Sequence, residues 1–348
     1  MRSARAADYR RSARNRVYNP YLCSFRFDNV PSVGQGSLDF SPGPNALCGG
    51  NGVGKSTLLH ALFITLNGNI ALLPPGAIRR LEGARFRGEL KNDVTSLTNT
   101  ALIEDGEVTL ESDCTEIVSY FLDAGPRCHK WTEELINMAN TEELLEPISP
   151  QVLKDNELQE IRYLTGKSYE SCRIYEIDEF SEPFPFPIVS LRNQTYGFQQ
   201  MGIGELALHF LYWQLVHAEE GSFLFFEEPE TFVSPRSQRA LINLICKYAS
   251  IKGLSVFMTS HSFGVVGSLA NRQITLLHGT RPNIITSRPP RRSELIDILG
   301  VKQEQVGLLI FEDQAARAFG WSLLGQLDPD LADMIEVQNR RGTGDLNS

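Results

Sequence analysis

Residues 49–57 read GGNGVGKST, and no other stretch restricts the fold of this chain so tightly. Gly49, four residues, Gly54, Lys55 and Ser56 satisfy G-x-x-x-x-G-K-[ST]. A loop built from Gly49, Gly50, Asn51, Gly52, Val53 and Gly54 can curl its backbone N–H groups around a phosphate. A helix that starts there aims its positive end at the same anion. Lys55 is placed to reach the β and γ phosphates of ATP, Ser56 to ligate Mg2+, and Thr57 completes the binding run. The context agrees: the strand-like NALCG precedes the loop, and Leu58, Leu59, Leu62, Phe63 and Leu66 follow at helical spacing. The pattern predicts an α/β P-loop NTPase. His60, on the same helix, reads as an ordinary surface or packing histidine.

A second stretch, SFLFFEEPETF at 222–232, runs four apolar residues into Glu227 and Glu228 and stops at Pro229. Alone it could be an acidic turn. Beside a P-loop it reads as a buried parallel strand, whose carboxyl end is where such sheets place ligands. Glu227 is then expected to hold Mg2+, directly or through water, and Glu228 to orient and deprotonate the attacking water. Neighbouring strand residues face opposite ways, so two glutamates can take two roles. Ser234 and Pro235 read as an N-cap and a first helical residue. LSVFMTSHS supplies another buried strand, after which His261 is expected to hydrogen-bond the γ-phosphate. His209, His217 and His278 carry no such expectation. QQMGIGELALHFLYWQL joins a glycine-bearing turn to an apolar helix; Gly202 and Gly204 either bare amides for an anion or form a tight loop capping that helix.

Composition excludes some classes. With 42% hydrophobic and 22% charged residues the 348-residue chain is an ordinary globular one. No apolar run reaches the roughly 18 residues of a membrane helix, so no membrane partner is expected. The six cysteines lack metal-ligand spacing and read as reduced thiols of a cytoplasmic protein. The net charge of −9 argues against a uniformly basic nucleic-acid binder. Residues 1–20 are locally basic, with Arg2, Arg5, Arg10, Arg11, Arg14 and Arg16 against Asp8. They read first as a disordered, solvated arm, second as a phosphate-binding one, and weakly resemble a transit peptide.

Five segments follow from the pattern: this arm, a nucleotide-binding part at 21–75, an inserted β/helical region at 76–188 ending in Pro-rich SEPFPFPIV, a second nucleotide-binding part at 189–287, and a C-terminal unit at 288–348. In the last, SELIDILG reads as a helix closed by Gly300. VGLLIF reads as a strand into Glu312 and Asp313, QAARAFGWSLL as a helix and MIEV as a strand.

Taken together, residues 22–280 resemble the ATP-binding cassette (ABC) ATPases, in the branch shared by structural-maintenance-of-chromosomes (SMC) proteins and overcoming-lysogenization-defect (OLD) nucleases. LCGGNGVGKST looks like their Walker A, MGIGE like their signature, FLFFEEPE like their Walker B and TSHS like their switch histidine. The glutamate pair is closer to OLD-type ATPases than to transporters, which usually carry Asp-Glu. The resemblance implies ATP and Mg2+ as cofactors and a homodimer or higher even oligomer, in which Gly202, Gly204 and Glu205 of one subunit face ATP held by another. Gly202 stands where the signature usually has serine, and the glutamine loop has no evident place.

The C-terminal unit resembles the start of a Toprim nuclease domain, with Glu312 at the catalytic glutamate as a further metal-ligand candidate. The required Asp-x-Asp strand is missing, and Asp328–Asp330 lies in the wrong loop. The unit is therefore expected to be truncated or degenerate. The implied function is the ATP-driven engine of a bacterial anti-phage defence system, clamping as a dimer to control a partner nuclease or effector on DNA or another nucleic acid. The rivals are an ATP-regulated endonuclease using its own Toprim-like site and a non-cutting SMC-like DNA ATPase. The latter lacks the sustained heptads of a coiled coil over 75–188.

Overall fold

Strands apolar on both faces cannot lie at a surface, and three of them form the centre of the computed structural model. They are β3 (Pro44–Cys48), β12 (Phe223–Phe226) and β13 (Ser255–Ser260), buried throughout. The structure describes residues 3–92, 95–114, 117–136, 141–178, 183–280, 283–288, 299, 307–327 and 335–339. It divides into two compact units, 1–288 and 289–348.

In the first unit, β7 (Ser119–Leu122), β14 (Ile274–Thr280) and β15 (Asn283–Ser287) complete a six-stranded sheet of order β15-β14-β3-β13-β12-β7. All its pairings are parallel except β14 with β15. An antiparallel sheet of order β2-β1-β4-β5-β6 is made by β1 (Tyr21–Val30), β2 (Gly34–Asp39), β4 (Arg85–Lys91), β5 (Ser96–Glu104) and β6 (Glu107–Ser112). Helix α2 (Lys55–Asn67) packs against strands of both sheets and is buried from Thr57 to Leu66. An all-round apolar helix belongs in such a place.

A third sheet, antiparallel in the order β11-β10-β9-β8, comprises β8 (Gln151–Val152), β9 (Ser171–Ile177), β10 (Phe184–Leu191) and β11 (Gln194–Gly197). The buried α6 (Ile203–His217) packs on it, Trp131 of α3 (Ala124–Ile136) stacks on Phe184 of β10, and α5 (Asp155–Thr165) packs on α6; α4 (Thr141–Leu145) follows α3 in the chain. α7 (Pro235–Lys252) and the short α8 (Phe263–Val266) follow β12 and β13. The Ser234 side chain caps α7 with Pro235 in its first turn, as the sequence predicts.

Two expectations change. The segment 76–188 is not a single insertion, because β4–β6 extend the sheet begun by β1 and β7 joins the parallel sheet. The basic arm is not a solvated coil: α1 (Ser3–Asn15) packs on α7. Ala6 and Ala13, seven residues apart, are buried, and Arg10 donates to Asn243 Oδ1 at 2.7 Å. Arg16 donates to the carbonyls of Ser250 and Ile251 at 2.5 and 2.8 Å, satisfying acceptors at the end of α7. Counting arginines hid the two alanines that make one face close-packing.

The six cysteines are free. No helix among the described residues is long and apolar enough to cross a membrane. In the second unit β16 (Gly307–Phe311) pairs in parallel with β17 (Ile335–Asn339) through a helix at Gln314–Leu327, the expected β-α-β arrangement. The helix read at SELIDILG, apart from Leu299, and the Asp328–Asp330 loop lie outside the described residues.

Candidate nucleotide-binding site

β3 runs into the glycine loop and α2 begins at Lys55 with Gly54 as an N-cap that has no side chain to fill the helix end. Gly54 has φ 98°, and a Cβ there would sit 2.7 Å from Val33 Cγ2, so both backbone and packing require glycine. The Lys55 side chain is buried and folds back over the loop, donating to the carbonyls of Gly49 and Gly50 at 3.1 Å each. Gly50, Asn51 and Gly52 are exposed at the tip.

β12 and β13 deliver the acidic and imidazole groups to the same edge. Glu227 and Glu228 diverge, but they lie just past the end of β12, so a turn and not strand alternation separates them. Glu228 Oε1 lies 4.0 Å from Lys55 Nζ and 3.5 Å from His261 Nδ1, and its backbone N–H donates to Thr259 Oγ1 at 3.0 Å. Its φ of 41° turns the chain sharply at the strand end. Glu230, buried beneath, accepts from Ser260 Oγ at 2.7 Å and from the His261 N–H at 2.9 Å, fixing the histidine loop. Glu227 turns to α2 instead: its Oε2 is 3.0 Å from His60 Nε2. Burial alone would raise the Glu227 carboxyl. The hydrogen bonds and charge of His60, the hydroxyl of Ser56 and the charge of Arg80 outweigh this and hold it below the usual carboxylate range.

His60 is therefore not a surface histidine; its side chain is 1% exposed and bonded to the first glutamate. Asp123, which directly follows β7, is a third carboxyl at this edge. Burial, with the charges of Glu227 and Glu228 and against that of Arg127, raises it to about 7. Sequence reading missed Asp123, Thr259 and Glu230 as well as the role of His60. Asp123 closes the apolar run SYFL, and Glu230 and Thr259 stand inside FLFFEEPE and TSHS, but nothing local marks the partners they hold.

The donor chemistry suits Mg2+. Ser56 and Glu227 offer hard oxygens at the loop, and among the described residues no group of three or more His, Cys, Asp or Glu is built to hold a metal. Mg2+ commonly takes one or two protein ligands and fills its octahedron with phosphates and water.

The glycine turn before α6 has its own surroundings. Gly202 is the N-cap, again without a side-chain cap, and a Cβ on Gly204 would collide with the carbonyl of Phe232. The Glu205 carboxylate is occupied within its own chain. It accepts from Lys167 Nζ at 2.5 Å, from the Tyr196 hydroxyl at 2.9 Å and from the Tyr169 hydroxyl. Burial would raise it, but these three donors lower it. This qualifies the expectation for Glu205, whose side chain anchors the turn to the third sheet. Glu312 follows β16 in the separate C-terminal unit, with its side chain exposed.

The family model "AAA domain" (AAA_23) matches residues 24–188, and "AAA domain, putative AbiEii toxin, Type IV TA system" (AAA_21) matches 192–267. No curated protein matches the sequence. Among solved structures, the chain is similar to an Smc head domain with a coiled coil and joint from Pyrococcus yayanosii, at TM-score 0.58 and 10% identity, covering 81% of this chain and 99% of that one. It is similar to an SmcHead bound to the C-winged helix domain of ScpA, at TM-score 0.53 and 14% identity over 78% and 98% of the two chains. A further likeness is to the Smc head domain with an extended coiled coil bound to the C-terminal domain of ScpA, from Pyrococcus furiosus. That match has TM-score 0.52 and 13% identity over 81% and 99%.

The chain thus has a mixed α/β, SMC-head-like P-loop fold. The AAA-domain matches support an ATPase, and the neighbours show the fold.

Proposed function

We propose that this chain is the ATP-hydrolysing engine of a bacterial anti-phage defence system, two copies of which clamp on ATP and control a nuclease supplied by a partner or by further sequence. The observation that carries the catalytic part is the position of Glu228 between Lys55 and His261. Lys55 holds the phosphates, Glu228 orients the water and accepts its proton, and His261 meets the γ-phosphate. Glu227 and Ser56 hold Mg2+, which when bound neutralises phosphate charge. The dimer reading is supported by Gly202, an exposed N-cap of a buried helix that suits an anion supplied by a second copy. The defence reading is supported by the likeness of residues 192–267 to an AAA domain family described as putative AbiEii toxin of a type IV TA system.

Glu228→Gln tests the engine. Hydrolysis should fall by about 10²- to 10⁴-fold while ATP binding persists, and light scattering should show an ATP-dependent dimer. Hydrolysis at the wild-type rate would sink this assignment. The second reading, cleavage by the chain itself, rests on Glu312 at the end of β16. It requires plasmid cleavage by the purified chain with Mg2+ or Mn2+ that Glu312→Ala abolishes.

A further inference from the structure

His60 lies on α2, one turn beyond Ser56, and its ring is enclosed. It tilts against Phe121 of β7 with 5.3 Å between ring centroids, while Phe63, the next residue on this face of α2, packs edge-on against Phe121 and Phe225. One ring nitrogen, Nε2, meets Glu227 Oε2 at 3.0 Å. The carboxylate accepts, so Nε2 carries the hydrogen. The other nitrogen, Nδ1, is buried with no hydrogen-bond partner among the described residues. An unmet buried polar atom is a cost that leucine or phenylalanine would not incur at such an apolar position. What the histidine retains in exchange is its single bond to Glu227.

Glutamate has three side-chain torsions, one more than aspartate, and at a strand end it can sweep a wide arc. We propose that His60 is a positioning residue that fixes Glu227 by binding Oε2, so that Oε1 is held ready for the cation that accompanies the nucleotide. The inference rests on the ATPase reading above, and on Glu227 as a cation ligand within it. Partners of this kind, one bond removed from a metal, commonly change metal affinity by about 10- to 100-fold when removed. They do so without touching the phosphates.

The test is titration of a fluorescent ATP analogue, mant-ATP, against wild type, His60→Leu and His60→Gln, first in EDTA and then across Mg2+ concentrations. Leucine keeps the bulk and removes the donor; glutamine offers an amide N–H at similar reach. We expect equal affinity for metal-free mant-ATP in all three proteins. The Mg2+ midpoint should rise by about tenfold or more in His60→Leu and return toward wild type in His60→Gln. An unchanged midpoint in His60→Leu would reduce the histidine to packing. If His60→Leu is too unstable to assay, His60→Gln decides alone: a Mg2+ midpoint as displaced as that of Glu227→Gln overturns the proposal. Glu227→Gln also separates the premises. An unchanged Mg2+ midpoint there would remove the cation role of Glu227 and this inference with it, whereas failure of wild type to bind mant-ATP at all would refute the ATPase reading itself.

Discussion

Helices α2 and α6 begin alike and end up in different chemical settings. Each opens at a glycine N-cap without a side-chain cap, and each is apolar around its whole circumference and buried. At the start of α2, the first charged side chain, Lys55, lies over its own loop, with Glu228 at 4.0 Å. At the start of α6, the first charged side chain, Glu205, is taken up by Lys167, Tyr169 and Tyr196. The same backbone device is left with a cation folded over its own loop in one case and with an anion held by three donors in the other. The neighbours of a helix terminus, more than its dipole, decide what it can hold.

The contrast is open to attack. Lys55→Ala should abolish measurable mant-ATP binding, the largest effect expected, whereas Glu205→Gln should leave binding by the isolated chain near wild type. Equal losses would erase the distinction. Gly204→Ala should lower stability by roughly 1–3 kcal/mol in thermal or denaturant melts, because the new methyl meets the Phe232 carbonyl. Gly202→Ala, where a Cβ has nothing within 4 Å and the backbone suits any residue, should cost less, because the poorer N-cap is offset by reduced freedom of the unfolded chain. Lys167→Met should lower the melting temperature modestly and leave the Kd for mant-ATP unchanged, since it removes one of three donors to Glu205.

The smallest effect concerns pH. The Asp123 carboxyl is raised to about 7 in the folded chain, from an ordinary value of 3.8. The folded state therefore binds the extra proton between these limits, and this group's contribution to stability is lost as pH rises from about 4 through 7. In metal- and nucleotide-free buffer, Asp123→Asn should flatten that decline and raise the melting temperature at neutral pH. An unchanged profile would show that the carboxyl ionises normally.

Much of the first unit was legible because its signals are local. The P-loop needs glycines at fixed spacing, β12 and β13 need unbroken apolar runs, and Ser234-Pro235 caps α7 by its own chemistry. What escaped was chemistry between distant segments. His60 and Glu227 are 167 residues apart, and Lys167 and Glu205 are separated by 38. No periodicity announces such a bond; a buried histidine and a packing histidine look the same in sequence. The arm was misread for the opposite reason: its charge was conspicuous, while the alanines that seat it on α7 were not.

The sheet order also bears on how the chain can fold as it is made. β3, which carries the phosphate loop, lies between β13 and β14, and both of those strands come after residue 254. At ordinary rates of synthesis the loop therefore waits roughly 10 to 40 s for its flanking strands. Through that interval the apolar residues of β3 and α2 have no finished sheet to enter. Made well before β13 and β14, the nucleotide loop is among the last parts of this sheet to be held in place, and that delay gives a holding chaperone its opportunity.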